Sequence, residues 1–425
     1  MAALAREVRF REVWAWSMYD FANSGYTTVV ITAVFSAYFV AGVAGNAPWA
    51  TFAWTAALSA SYLLILLTGP LVGAWADRHA AKKRVLLLST IGCVLFTALL
   101  YFASPGAVAL ALALVVLSNY FFGVGENVIA AFLPELADSN AMGRVSGWGW
   151  AFGYLGGLTA LGLCLVYITR EQQLKHAAAH FVPVSMLITA AFFAIAATPT
   201  FIFLRERATP QPQTGNPLAR VLDTLRHARQ FADLRRFLLC ILFYQAGVTA
   251  VISLAAIYAE QAMKFTTQQT ITLILVVNIT AAAGAFGFGY LQDAIGHVKA
   301  VALTLVGWIV MVTLAYFSES TFSFWIAANL AGLCMGSSQA AGRAIVGYLS
   351  PPARLAEFFG LWGFAVKAAS IFGPITYGAV TWITAGNHRL GILFVGAYFV
   401  AGLLLLAGID IERGRRAALG VGEAF

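Results

Sequence analysis

The sequence predicts an all-α integral membrane protein with twelve transmembrane helices arranged as two six-helix halves. Of its 425 residues, 60% are hydrophobic and only 10% are charged. A soluble domain carries roughly a quarter charged residues, so most of this surface is expected to face lipid. Apolar runs long enough to cross about 30 Å of hydrocarbon recur along the chain, and one long polar stretch separates six of them from the other six.

The apolar runs give the position of each expected span. We place the spans at 13–39, 50–75, 85–103, 107–133, 145–167, 183–204, 237–259, 269–291, 300–317, 322–348, 357–383 and 391–409. The expected domains are therefore an N-terminal half (1–204), a linker (205–236), a C-terminal half (237–409) and a tail (410–425). No small-residue cleavage site follows the first apolar run, so that run is expected to remain as a spanning helix.

The basic residues orient these spans. With an even number of spans both termini lie on one side of the membrane, and that side carries twenty of the 26 Lys and Arg residues against four on the other side. Positively charged loops stay in the cytoplasm, so both termini are predicted to be cytoplasmic. The net charge of +8 is interpreted as this topology signal, and a nucleic-acid partner is not expected.

The linker contains a proline-rich segment, 209–217, followed by a predicted amphipathic basic helix, 218–231. Such a helix can lie on an anionic membrane surface, with its leucines toward lipid and its arginines toward the headgroups. A solvated connection between the halves fits the same composition, and the sequence does not decide between the two.

A related loop follows the second span of each half. Gly73 precedes Asp77 by four residues after the second span, and Gly289 precedes Asp293 by four after the eighth. These loops resemble the signature loop of the major facilitator superfamily, in which a glycine, an aspartate and several bases connect two helices. Ala80 replaces a later glycine of that signature in the first copy, and the second copy lacks the base after its aspartate.

The first span extends the resemblance. Its sequence from Trp14 to Ser24, WAWSMYDFANS, resembles the opening helix of the autophagy-related vacuolar amino-acid effluxers and their bacterial relatives. Segments 133–135, 147–157 and 358–374 agree as well. The resemblance implies a major facilitator fold, secondary transport by alternating access and, in a bacterium, a multi-pass protein of the inner membrane. It also implies amino-acid export for the fungal members.

Four ionisable residues fall inside predicted spans: Asp20, Glu126, Arg343 and Lys367. Each costs at least about 2.5 kcal/mol to insert, so each needs a partner or a watery cavity. The acids lie in one half and the bases in the other, which predicts pairing across the halves, with Arg343 facing Asp20 or Glu126. At 1.5 Å per residue the first three lie about 8–11 Å from the cytoplasmic helix ends and Lys367 about 15 Å.

These four residues are the candidates for substrate binding or proton coupling. Asn23 shares a helix face with Asp20, and Gln339 shares one with Arg343, so both amides join the candidate site. Hydrogen bonding between helices explains such amides equally well. The expected partners are a small solute that is amino-acid-like or bears a carboxylate, a proton or another coupling ion, and membrane lipid. The transporter itself is expected to be monomeric.

The conformational gate is assigned through the superfamily resemblance. That resemblance implies that Asp77 caps the eleventh helix near Phe358 and pairs with a base such as Arg144 to keep the cytoplasmic side closed. Arg78 and Asp293, which belong to the two signature loops, complete the predicted gate.

Other function classes lack their motifs. The sequence contains no phosphate-binding loop for ATP hydrolysis and no Gly-x-Ser-x-Gly or His-Glu-x-x-His, so neither an enzyme nor a cofactor is expected. His176 and His180 are four residues apart, but no third ligand of suitable spacing appears in the sequence, and no metal site is predicted. Uptake or exchange of another polar solute, or a nontransporting receptor or assembly factor on the same scaffold, remain the alternatives.

Overall fold

A computed structural model describes residues 4–5, 7–209, 231–265, 267–385 and 387–423. Within these ranges the regular structure is helical, apart from one isolated bridge between Leu4 and Ala137. Twelve long helices are labelled α1 to α12, and a shorter helix, α13, follows them. Their bounds are α1 Phe10–Val43, α2 Ala50–His79, α3 Lys82–Leu99, α4 Val108–Ala130, α5 Met142–Gln173, α6 Ala178–Phe203, α7 Ala232–Gln261, α8 Thr267–Ile295, α9 His297–Phe317, α10 Thr321–Leu349, α11 Leu355–Ile383, α12 His388–Leu406 and α13 Ile411–Glu423.

The twelve-helix fold predicted from hydropathy is confirmed. Eleven of the long helices in the described ranges are both long and apolar enough to cross a membrane. The twelfth, α10, has 29 residues, which give it a length of about 43 Å. Its polar and small residues lower its mean hydropathy, and most of its second half is buried inside the protein. Such a helix contacts its neighbours more than lipid.

The helix ends differ from the predicted ends by several residues. Helix α5 extends to Gln173 and α7 begins at Ala232, beyond the apolar runs that predicted them. Polar residues continue a helix outside the hydrocarbon layer without adding to an apolar run, so hydropathy underestimates these helices. Residues 218–230 of the predicted linker helix lie outside the described ranges.

Helix α1 is not a regular α-helix along its whole length. Its first part, Phe10–Tyr26, is α-helical, whereas Thr27–Ala33 and Phe39–Val43 form π-helical turns. Backbone hydrogen bonds with a five-residue spacing, such as Val34 N–H to Val29 O at 3.0 Å, mark these wider turns. Asp20 lies in the regular part, where α-helical spacing places Asn23 on the same helix face, as predicted from the sequence.

The two six-helix halves meet along a few helix pairs. Helix α2 packs against α11, α5 packs against α8, and α4 and α5 also contact α11 and α10 respectively. Within the N-terminal half α1 packs on α5 and α6, and within the C-terminal half α7 packs on α11 and α12. The helices α1, α4, α10 and α11, which carry the four intramembrane charges, therefore all take part in contacts at or near the interface.

The described ends of the chain lie at one end of the bundle, which we call the linker side. It is the end where residues 204–209 leave α6 and Phe231 precedes α7. There, Leu4 bridges to Ala137, and Arg413 of α13 lies 2.7 Å from Asp233 of α7. The opposite end is called the far side.

Salt bridges on the linker side hold the start of the linker against the N-terminal half. Glu135 pairs with Lys82 and accepts a hydrogen bond from the Arg207 backbone N–H at 3.0 Å. The Arg207 side chain in turn lies 2.9 Å from the buried carboxylate of Glu12. Glu206 accepts hydrogen bonds from the backbone N–H groups of Lys82 and of the next residue, so it caps α3.

Candidate functional site

The linker-side end of the α2–α11 contact is held by Asp77. Its carboxylate accepts hydrogen bonds from the backbone N–H groups of Ala356 at 3.1 Å and Glu357 at 2.9 Å. A carboxylate at a helix N-terminus satisfies otherwise unpaired donors and interacts favourably with the helix dipole. Asp77 therefore caps α11 from the other half of the protein, at the place expected from the sequence.

The α5–α8 contact repeats this arrangement with the halves exchanged. Asp293 at the end of α8 accepts hydrogen bonds from the backbone N–H groups of Gly143 at 2.9 Å and Arg144 at 3.1 Å. The Arg144 side chain also lies 2.8 Å from Asp293. The prediction that Arg144 pairs with Asp77 is thus wrong. Arg144 lies in the first turn of α5, which packs against α8, so its partner is the aspartate of the second signature loop.

Glycines allow both contacts to be this close. A Cβ on Gly73 would overlap the carbonyl oxygen of Ala356, and one on Gly147 would overlap that of Ala285. These backbones approach because no side chain separates them, as in other tightly packed membrane helices. Arg78, the remaining member of the predicted gate, is half-buried beside Asp77.

Arg343 of α10 and Asp20 of α1 form an ion pair between the halves. An Nη atom of Arg343 lies 2.6 Å from Oδ2 of Asp20. The same guanidinium donates to the Ser146 hydroxyl at 3.1 Å and to the Ser146 carbonyl oxygen at 2.8 Å. Of the two acids proposed to face Arg343, Asp20 is therefore its partner.

Two tryptophans enclose this pair. The guanidinium carbon of Arg343 lies 4.6 Å from the ring centroid of Trp16 and 5.4 Å from that of Trp150. Arg343 and Asp20 are both buried, and the two rings attract the guanidinium group through cation–π interactions. A buried ion pair gains from this enclosure, but removing one partner leaves a charge with no compensation.

Lys367 of α11 and Glu126 of α4 form the second ion pair between the halves. The ammonium group lies 3.0 Å from Oε2 of Glu126. The rings of Tyr62 and Phe122 flank it at 5.5 Å and 5.7 Å. Lys367 is 11% exposed and Glu126 is 23% exposed, whereas Arg343 is 3% exposed. The second pair is thus the more accessible of the two.

The two amides of the predicted site have different surroundings. Asn23 is buried, and its side-chain oxygen accepts a hydrogen bond from Ser24 at 3.5 Å. Gln339 is half-buried, and no hydrogen bond of its side chain is found in the described part of the chain. Asn119, in contrast, donates to Ser61 at 2.5 Å, so it links α4 to α2.

Several residues of the site were not identified from the sequence. Ser146, Trp150 and Tyr62 all contact one of the two bases. Gly149 makes room for the first pair, because a Cβ there would lie 2.5 Å from both Arg343 and Asp20. Glycines near the start of α5 are typical of close helix packing, and nothing in their sequence shows that a guanidinium lies against them.

All the contacts between the halves described above lie at the linker-side helix ends or no farther into the bundle than Lys367. The two aspartate caps lie at the linker-side helix ends. The Asp20–Arg343 pair lies deeper in the bundle, and the Glu126–Lys367 pair lies deeper still. Each of these contacts joins one half to the other on the linker side.

Comparison with known proteins places this geometry in a family. The family model described as "Vacuole effluxer Atg22 like" matches residues 43–419. The MFS-type transporter YxiO of Bacillus subtilis is 27% identical over 408 residues, covering 94% of each chain. Autophagy-related protein 22 of Kluyveromyces lactis is 24% identical over 375 residues, covering 80% of this chain and 75% of its own.

Solved structures agree on the fold. The human organic anion transporter MFSD10 superposes with a TM-score of 0.74 at 16% identity, covering 93% of this chain and 99% of its own. A bacterial homologue of the iron transporter ferroportin, in an outward-facing state, gives 0.71 at 13% identity, covering 94% and 99%. At such identities the likeness concerns the fold alone.

Proposed function

Since the chain belongs to the Atg22-like family of vacuole effluxers and is a transporter of the major facilitator superfamily, we propose that it exports a small carboxylate-bearing solute in a transport cycle coupled to protons. Amino-acid-like zwitterions are the favoured substrates. The proposal rests mainly on one observation, the ion pair between Glu126 and Lys367, which is the more accessible of the two pairs between the halves.

This pair can link substrate binding to protonation. A substrate carboxylate that binds Lys367 competes with Glu126 for the same ammonium group, because both are anions and the distance between the pair is only 3.0 Å. A carboxylate that loses its cationic partner in a low-dielectric site takes up a proton more readily. Substrate and proton occupancy would therefore change together, as coupled transport requires.

The contacts between the halves supply the conformational part of the proposal. The capped and ion-paired linker side is taken as cytoplasmic, on the basis of the distribution of Lys and Arg. The described conformation then corresponds to an outward-facing state, the state in which the ferroportin homologue of similar fold was solved. Export requires the Asp77 and Asp293 caps to break so that the solute enters from the cytoplasm, and to form again before it leaves.

The direct experiment uses purified protein in liposomes with a pH-sensitive dye inside. Adding amino acids, peptides or organic acids to the outside should drive a proton movement that depends on the imposed pH gradient. The Lys367→Ala variant should show no such proton movement. The Arg416→Ala variant, which changes an exposed residue of α13, should show the same proton movement as the wild type. Solute movement that is indifferent to the pH gradient would reject proton coupling, and the absence of any solute movement would favour a receptor on this scaffold.

A further inference from the structure

The loop between α5 and α6 brings together three side chains that are suited to binding a metal. It lies on the far side, away from both ion pairs. Helix α5 ends at Gln173 and α6 begins at Ala178. Between them Lys175 takes a left-handed backbone conformation with φ of 60°, which reverses the chain within a few residues. Glu171 in the last turn of α5 thereby faces His176 and His180.

The three groups converge on one point. Oε2 of Glu171 lies 2.6 Å from Nδ1 of His176 and 3.5 Å from Nε2 of His180. The two imidazole centroids are 4.7 Å apart, and the three potential ligand atoms lie within 4.8 Å of one another. A single carboxylate oxygen from the helix before the turn therefore faces two imidazole nitrogens from residues that follow the turn.

We propose that Glu171, His176 and His180 bind a divalent transition-metal ion of the Zn²⁺ type, with water completing the coordination. Two imidazoles and one carboxylate form a ligand set that Zn²⁺ commonly accepts, whereas Mg²⁺ and Ca²⁺ prefer oxygen ligands. Neither the transport proposal nor the family assignment includes this site.

The distances require only small side-chain movements. Ligand atoms about 2.0–2.1 Å from a tetrahedral Zn²⁺ lie about 3.4 Å from one another. The observed separations fall on both sides of this value, from 2.6 Å to no more than 4.8 Å. Rotation of the exposed histidines can equalise them without moving the helices.

Burial of the three groups also suits the proposed role. The Glu171 side chain is only 12% exposed, whereas His176 and His180 are 45% and 60% exposed. The carboxylate is thus held in place, and an ion has open access from the solvent with space for water ligands. Binding would join the far-side ends of α5 and α6, which are otherwise connected through the turn at Lys175.

Isothermal titration calorimetry with ZnCl₂ tests the proposal on the full-length protein. The protein should be purified in detergent through a tag without histidine and treated with a chelator beforehand. One Zn²⁺ should bind per chain in the wild type, and Mg²⁺ at the same concentration should not compete. His176→Ala and His180→Ala should each weaken binding by more than about tenfold, because each removes a direct ligand.

His388→Ala is the matched control, since His388 also begins a helix on the far side but contacts Tyr377, at 2.9 Å, instead of an acid. It should bind Zn²⁺ as the wild type does. A thermal-unfolding series with and without ZnCl₂ gives a second readout, in which only proteins with the intact site should be stabilised. Wild-type protein that binds no Zn²⁺, or a His176→Ala/His180→Ala double variant that binds it equally, would overturn the proposal.

Discussion

Glu126 and Arg343 occupy equivalent positions in the two halves of the chain and carry opposite charges. Each lies in the fourth helix of its half, eight residues before the first proline that follows that helix. Each also pairs with a residue of the other half, Glu126 with Lys367 at 3.0 Å and Arg343 with Asp20 at 2.6 Å. The two halves therefore each place a charged residue at the same point of the interface, and the two charges have opposite signs.

The Asp20–Arg343 pair should show strong coupling in a double-mutant cycle. Asp20→Asn and Arg343→Gln should each lower the free energy of unfolding by about 3–5 kcal/mol, because each leaves a buried charge unpaired. The double variant should lose less than the sum of the two. Chemical denaturation in detergent measures this, with the exposed Arg416→Ala as control. Additive losses would show that the two residues do not act as a pair.

Gly149→Ala should disturb the same pair without removing a charge. The added methyl group would lie 2.5 Å from both Arg343 and Asp20, so one of them must shift, at a cost of about 1–3 kcal/mol. Gly162→Ala in the same helix is the control, since a Cβ there meets no atom within 4 Å. Because Gly162→Ala replaces a helix glycine without a clash, it should leave the free energy of unfolding unchanged or raise it by up to about 1 kcal/mol. Equal thermal stability of both variants would contradict the packing at Gly149.

Two substitutions of Lys367 should affect substrate binding and proton coupling differently. Lys367→Ala is expected to abolish substrate binding or the dependence of transport on the pH gradient. Lys367→Arg should retain binding but lose any step in which this residue releases its proton, because arginine effectively never deprotonates. Binding is measured by thermal shift with the solute, and coupling is measured by flux in liposomes at two pH gradients. If Lys367→Ala transports with unchanged pH dependence, the residue has no role in the site.

The Asp77→Asn substitution should reduce the transport rate more than it reduces the amount of folded protein. An amide offers one acceptor oxygen, so one of the two hydrogen bonds to Ala356 and Glu357 is lost, at about 1 kcal/mol. This loss falls on the conformation that is closed on the linker side and shifts the balance toward the open one by about fivefold. A cysteine at Ala285, which is buried in the α5–α8 contact, should then react faster with an impermeant thiol reagent. Wild-type transport and labelling in a well-folded variant would exclude a gating role.

Reporter fusions test the predicted topology of the chain. An alkaline phosphatase fused after Phe425 should be inactive, and a fluorescent protein at the same place should fluoresce, if the C-terminus is cytoplasmic. The same pair of reporters in the α5–α6 loop at Lys175 should give the opposite result. An active phosphatase at the C-terminus would reverse the orientation and the proposed direction of transport.

Much of the fold and the charged part of the site could be predicted from the sequence. Spanning helices are encoded locally, by length and hydropathy, and an ionisable residue within such a run is conspicuous because insertion penalises it. Asp20, Glu126, Arg343 and Lys367 were found in this way. Which acid meets which base could not be deduced, since that depends on the faces that two helices from different halves present to each other.

The contacts of Arg144 and Glu171 could not be predicted for a similar reason, because both depend on how separate segments are placed in space. Arg144 was assigned to Asp77 because the superfamily resemblance emphasises the first signature loop, yet α5 starts beside Asp293. The sequence does not indicate Glu171 as a partner of His176, because their spacing of five positions does not place them on the same face of a helix. The left-handed turn at Lys175 makes them neighbours, and such a turn on a non-glycine residue has no reliable sequence signal.

The π-helical turns of α1 have a consequence for insertions and deletions. A hydrogen bond from residue i to residue i+5 encloses one more residue than an α-helical bond, so each π-helical stretch acts as an added residue in an otherwise regular helix. Deleting one residue within Thr27–Ala33 converts the stretch to α-helix and leaves Phe35 and the residues after it in nearly the same orientation. The same deletion within Phe10–Tyr26 rotates Asp20 or its neighbours by about 100° relative to the rest of the helix. Homologous chains are therefore expected to differ in length by single residues in the far-side part of their first helix and to keep a fixed length in the part that carries the aspartate.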